Sequence, residues 1–133
     1  MISVVRPRIS LRTADSSRAS VTGSILARVF AIVGTAVTST SADTLELGVP
    51  GDTACLLVQA DADGVAFAEN DCWTIDQEPD TPSADLDTNW VVIPNGLDIT
   101  LTINDHDLTA GVVSFYLMWI PLSPDAAVAG AAP

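Results

Sequence analysis

The sequence predicts an all-β protein: an antiparallel β-sandwich or jelly roll with an extended N-terminal arm and a flexible C-terminal tail. Three observations carry this. Apolar and polar residues alternate in Thr44-Leu-Glu-Leu-Gly-Val49 and again from Leu97 to Asn104, the period of a half-buried strand. The apolar set is dominated by Val, Ile, Leu and Ala with few aromatics, and the β-branched members suit a pleated surface better than a helix. Turn signals at Pro50-Gly51-Asp52, Asp63-Gly64 and Asn104 to Gly111 cut the chain into short runs. With 133 residues, 48% of them apolar, one core of ordinary size is the expectation. The division predicted is an arm over 1–20, a β-domain over 21–122 and a tail over 123–133.

Residues 1–20 combine scattered Arg, Pro7 and the run Thr13-Ala-Asp-Ser-Ser-Arg-Ala-Ser20, the character of an arm ordered by a partner. The string VTGSILARVFAIVGTAV, Val21 to Val37, reads as one long strand with a break near Gly34; a buried helix is the competing assignment. A polar loop is expected from Thr35 to Thr44. The Val112 to Leu122 segment is apolar on both faces, so it is expected at a sheet centre or covered outside by another subunit. Its outer positions Tyr116, Met118 and Ile120 are the candidate interface. Trp73, Trp90, Phe115, Tyr116 and Trp119 are the large core anchors, with Trp73 alone in a polar context that would suit a sugar-stacking platform. Between the Trp73 and Trp90 strands, Pro79, Pro82, Asp76, Glu78, Asp80, Asp85 and Asp87 describe a long acidic surface loop. The Ala/Gly/Pro-rich tail from Ser123 has no amphipathic period.

Charge divides the chain in two. All five basic residues, Arg6, Arg8, Arg12, Arg18 and Arg28, precede position 29, while the remaining 105 residues hold 16 carboxylates and no Arg or Lys. The N-terminal part carries +4 and the rest −16, for a net −12. A basic arm can therefore lie along an acidic body, its own or a neighbour's, each exposed ion pair contributing about 1 kcal/mol or less. Arg6, Arg8, Arg12 and Arg18 are the candidate partner-binding set. An acidic body repels phosphate, which excludes nonspecific nucleic-acid binding by it. Ile25 to Val37, the most apolar stretch, is interrupted by Arg28 and Gly34 and is too short for a membrane-spanning helix. Met1 to Ile9 carries two Arg and a Pro and leads into no apolar signal region, so the expectation is a protein made in the cytoplasm and retained or released by lysis.

Catalytic chemistry is poorly supplied. His106 lies between Asp105 and Asp107, which resembles an oriented imidazole, but a turn between two strands is the stronger reading; no nucleophile elbow, second metal-spaced His or Lys completes a site. Asp61-Ala-Asp63-Gly64 opens like a calcium loop without its later ligands. No enzyme activity, metal or cofactor is expected. If Asp63 and Gly64 form a two-residue hairpin turn, Cys55 falls opposite Cys72 in a non-hydrogen-bonded pair, where a disulfide is geometrically allowed. The same register puts Leu56, Val58, Ala60, Ala62, Val65 and Phe67 on one face. Two reduced thiols are the alternative.

The layout of the arm MISVVRPRISLRTADSSR, the strand pair GLDITLTI and VVSFYLMWIPLS, and the tail PDAAVAGAAP resembles the decoration or cement proteins of tailed-virus capsids. That resemblance implies a virion structural protein that binds a major capsid protein and its own copies, as a trimer or dimer at lattice symmetry points, without catalysis. A carbohydrate- or receptor-binding β-sandwich of a viral fibre is the alternative.

Overall fold

The computed structural model describes residues 3–5, 8–10, 18–39, 43–62, 67–85, 90–104 and 108–130. These form eleven strands and no helix: β1 (Ser3–Val5), β2 (Arg8–Ser10), β3 (Arg18–Thr22), β4 (Ile25–Ser39), β5 (Thr44–Val49), β6 (Asp52–Asp61), β7 (Cys72–Trp73), β8 (Val91–Ile93), β9 (Ile99–Asn104), β10 (Leu108–Pro121) and β11 (Ala127–Gly130). Every pairing is antiparallel. One sheet of six strands runs β1-β10-β4-β7, with β2 also on β10 and β8 also on β4; the other, of five, runs β11-β3-β9-β5-β6.

The backbone of the six-stranded sheet is the β4–β10 ladder, which pairs Ile25 with Pro121, Phe30 with Tyr116 and Val33 with Val113. In β4 the side chains alternate strictly: Ile25, Ala27, Val29, Ala31 and Val33 are buried while Leu26, Arg28, Phe30 and Ile32 are half-buried. Strand is thus the conformation of this segment, but its break comes earlier than expected. At Gly23 the backbone adopts φ +66°, a left-handed turn that glycine enters without a Cβ clash, and β3 swings there from the five-stranded sheet into β4 of the six-stranded one. Gly34 stays inside β4, which continues to Ser39 through positions expected to be loop. Beyond Val33 the ladder slips, with register shifts between Leu108 and Val113, so irregular pairing absorbs the glycine that a local reading takes for a terminus.

Both ends of the chain also depart from expectation. Ser3, Val4 and Val5 pair with Trp119, Met118 and Leu117, and Arg8, Ile9 and Ser10 with Ser114, Val113 and Val112. Ala127 to Gly130 pair with Thr22 to Ala19. Arm and tail therefore supply edge strands, and a boundary at residue 20 cuts through β3. Their order comes from partners distant in sequence, a source that leaves no local periodicity.

The core lies where the two sheets meet. Trp73, fully buried, is its largest member, edge-on to Phe67 at 5.2 Å between centroids and tilted on Phe115 at 6.0 Å. Its indole Nε1 donates to the Val58 carbonyl at 2.7 Å, which ties the six-stranded sheet to β6 of the other. Leu45, Leu57 and Leu101 close the core from the five-stranded sheet. Each fully buried aliphatic side chain contributes about 1.5–3 kcal/mol relative to exposure.

Candidate functional site

The register of β4 and β10 brings a second set of large side chains together on the side of the six-stranded sheet away from the core. Tyr116 stands opposite Phe30, Met118 opposite Arg28 and Ile120 opposite Leu26. Val92 lies opposite Leu26 on the far side of β4, and Cys72 opposite Ile32. Phe30 and Tyr116 stack with ring centroids 4.9 Å apart and planes 10° from parallel. The Arg28 guanidinium sits 5.2 Å from the Trp90 ring centroid, a cation–π arrangement at the strand's outer surface. Val92 is 60% exposed and the others are half-buried. None of these ten positions is a carboxylate, in a chain that has 17.

The expected trio Tyr116, Met118 and Ile120 is thus gathered on one face, at the sheet centre as β10's two-faced apolarity requires. Sequence reasoning passed over Leu26, Phe30, Ile32, Trp90 and Val92. The signal was present: Val21 to Val37 is apolar in both parities, as is Val112 to Leu122. The tryptophans divide. Trp73, expected as a core anchor despite its polar context, pairs with the inward Ala31 and is wholly buried, whereas Trp90, also expected in the core, is half-exposed against Arg28. Tyr116 likewise faces outward, and Trp119 is only partly buried, with its indole Nε1 enclosed and making no hydrogen bond.

The five-stranded sheet turns a different surface outward. Glu46, only 7% exposed, points away from the core between Leu45 and Leu47 and accepts hydrogen bonds from Gln59 Nε2 at 2.7 Å, Asn104 Nδ2 at 3.2 Å and the Thr53 hydroxyl. Thr102 is its cross-strand partner. A register slip between Leu47 and Val49 lets the start of β6 arch over Gly48, where a Cβ would overlap the Asp52 carbonyl and lie 2.5 Å from Thr53 C. Glycine is required there by the closeness of the arch.

The proposed cysteine pair is corrected by the strand pairing. Cys72 pairs with Ile32 in the six-stranded sheet, β6 pairs with β5 in the other, and both thiols are free. The contact between the two segments is instead Val58 N–H to the Thr74 carbonyl at 3.3 Å, five positions away from the register that would face Cys55 with Cys72. The hairpin fails because its strands diverge into different sheets. Inward placement of Leu56, Ala60, Ala62 and Phe67 does hold. Burial, followed by the Asp52 carboxylate, pushes the Cys55 thiol above its usual pKa.

The acidic loop is more ordered than its composition suggests. Gln77 Nε2 donates to the Cys72 carbonyl at 3.1 Å, to Thr81 Oγ1 at 3.1 Å and to the Ser83 carbonyl at 3.2 Å. The Thr81 carbonyl accepts from Cys72 N–H at 2.8 Å and the Pro79 carbonyl from Phe67 N–H at 3.0 Å. Residues 79–83 therefore run along the outside of β7 as the outermost layer of that sheet edge, with Glu78, Asp80 and Asp85 exposed. Among the described residues no three His, Cys, Asp or Glu side chains are grouped to hold a metal ion, and no helix is long and apolar enough to cross a membrane. Arg8 and Arg18 lie in β2 and β3, on different sheets. Arg6, Arg12, Asp63, Gly64, Val65, Asp87 and the Asp105-His106-Asp107 turn fall outside the described residues. The chain matches no protein family, no curated protein and no solved structure.

Proposed function

We propose that this chain is a non-enzymatic structural protein of a virion, a decoration or cement protein whose two sheets form a β-sandwich that binds and stabilises a capsid surface. The observation that carries the reading is the outer face of the six-stranded sheet. A chain of net charge −12 keeps the ten outward positions named above free of carboxylates and furnishes them with Phe30, Tyr116, Met118, Ile120 and Trp90 beside Arg28. Water gains nothing from such a face, and apolar patches of this kind mark protein contact surfaces. The partners proposed for it are the major capsid protein and other copies of this chain. The fibre-module alternative loses its expected stacking residue, since Trp73 is enclosed in the core.

Density-gradient banding of particles from cells that express the chain, followed by quantitative mass spectrometry, tests the reading. The expected result is recovery of the chain with the shell protein in a fixed ratio, lost on Tyr116→Lys substitution. Recovery only in the particle-free fraction overturns it.

A further inference from the structure

Two stretches of chain cross between the sheets side by side. Gly23 and Ser24 carry β3 into β4, and residues 94–98 carry β8 of the six-stranded sheet into β9 of the five-stranded one. The second crossing turns at Pro94-Asn95-Gly96-Leu97, where Leu97 N–H donates to the Pro94 carbonyl at 3.3 Å. Asn95 has φ +45° and Gly96 φ +77°, the two positive angles that a type I′ turn needs and that Asn-Gly supplies. This turn is docked on the first crossing. Asn95 N–H donates to Ser24 Oγ at 3.0 Å, Gly96 N–H to the Gly23 carbonyl at 2.8 Å, and Val21 N–H to Asp98 Oδ1 at 3.1 Å.

The residue pair that suits the turn also carries a chemical liability. An asparagine amide carbon is an electrophile within reach of the next backbone nitrogen, and a following glycine has no side chain to block the approach. Asn95-Gly96 is the one such pair in the chain, since Asn70, Asn89 and Asn104 precede Asp71, Trp90 and Asp105. Asn95 and Gly96 are both exposed, so water reaches them.

We propose that Asn95 is a site of spontaneous deamidation whose reaction is gated by the docking of its turn. Gly96 N gives up its proton and attacks Asn95 Cγ, the Cγ–Nδ2 bond breaks, and ammonia leaves with that proton to close a cyclic succinimide. Water then opens the ring at either carbonyl, giving aspartate or an isoaspartate linkage that runs through Cγ. The net exchange takes up water and releases ammonia, with no change of oxidation state. In the folded chain the Gly96 N–H is held on the Gly23 carbonyl, so the nucleophile keeps its proton. Reaction proceeds from the undocked turn, and its rate follows the population of that local opening. Isoaspartate then leaves an extra backbone carbon between the two N–H groups that dock on Ser24 and Gly23. The turn can no longer re-dock in register, and the change is one-way.

Ageing the full chain at mildly alkaline pH, in buffer and in guanidinium chloride, tests the proposal. Peptic digests made at acid pH, where the imide forms slowly, are separated against isoaspartate standards and identified by mass spectrometry. In denaturant Asn95 should convert ahead of Asn70, Asn89 and Asn104, with isoaspartate among the products. In the folded chain its conversion should be slower by about tenfold or more. Ser24→Ala removes the acceptor of Asn95 N–H and should raise the folded-state rate about threefold to tenfold, with the rate in denaturant unchanged; circular dichroism verifies its fold. Where that variant does not fold, the ratio of the two rates in the unsubstituted chain carries the test. Earlier conversion of another asparagine in denaturant, or aspartate without isoaspartate, overturns the site and its imide route. Equal rates in buffer and denaturant overturn the gate, as does a folded Ser24→Ala chain that deamidates no faster.

Discussion

The two outward surfaces of this molecule are built on the same pleat and solve opposite problems. On the five-stranded sheet the outward positions include Thr44 and Glu46, which both accept from the Asn104 side chain, and Glu46 also accepts from Thr53 and Gln59 of β6. On the six-stranded sheet they include Leu26, Arg28, Phe30, Ile32, Tyr116, Met118 and Ile120, a mainly apolar set in which Phe30 stacks on Tyr116. One outer surface belongs to the fold, since removing its members strips hydrogen bonds from a half-enclosed network. The other is the surface proposed above for binding, and its substitution is expected to cost the fold less. The lesson is that burial alone does not separate the two: Glu46 is more enclosed than Met118, and what differs is whether the partners are already present.

The largest effect that sharpens this contrast is expected at Gly48. Replacing it with Val drives a side chain into the Asp52–Thr53 arch, and urea unfolding should show a loss of about 3 kcal/mol or more. Glu46→Ala removes the common acceptor of Thr53, Gln59 and Asn104; a loss of about 1–3 kcal/mol is expected in the same assay. On the opposite face Tyr116→Ala should cost about 1 kcal/mol, the stacking against Phe30, and Met118→Lys within about 0.5 kcal/mol in the monomer. If Met118→Lys destabilises the monomer as much as Glu46→Ala, the distinction between a folding surface and a binding surface collapses.

The smallest effect is a pH dependence at Cys55. Its thiol is held above the ordinary value in the folded chain by burial and by Asp52. The unfolded chain therefore loses this proton first as pH rises. The stabilisation is fully present below the ordinary thiol pKa and disappears as pH climbs through the raised folded value. Alkylation of the native protein followed site by site by mass spectrometry should show Cys55 reacting slowly near neutral pH and accelerating on the alkaline side of the usual thiol range. Reaction at the rate of an unstructured thiol throughout would contradict the enclosure.

What was legible in the sequence follows from where each signal resides. The alternation of Thr44 to Val49 and of Leu97 to Asn104 is local and yields β5 and, less its first two residues, β9. The two-sided apolarity of Val112 to Leu122 correctly requires a central strand. Pairings decided at a distance were not legible. The edge strands at residues 3–5, 8–10 and 127–130 have no period of their own and pair with β10 and β3. The Cys55–Cys72 register assumed that strands joined by a turn must pair, whereas β6 and β7 separate into different sheets. The tryptophans show the same limit, because Trp73 and Trp90 are distinguished only by parity: Trp73 shares a row with the inward Ala31, and Trp90 lies beside the outward Arg28. For the candidate face, half was read directly from β10, and the β4 half lay in a segment read as a strand but not recognised as two-faced.

The chain order of the central ladder has a consequence during synthesis. β4 ends at Ser39 and its main partner β10 begins at Leu108, so β4 leaves the ribosome about 70 residues ahead of the strand that completes it. At roughly 5–20 residues per second that interval is about 4–14 s. Throughout it Leu26, Phe30 and Ile32 lack the β10 strand that completes their side of the ladder, and that open edge is of the kind that favours pairing with another chain.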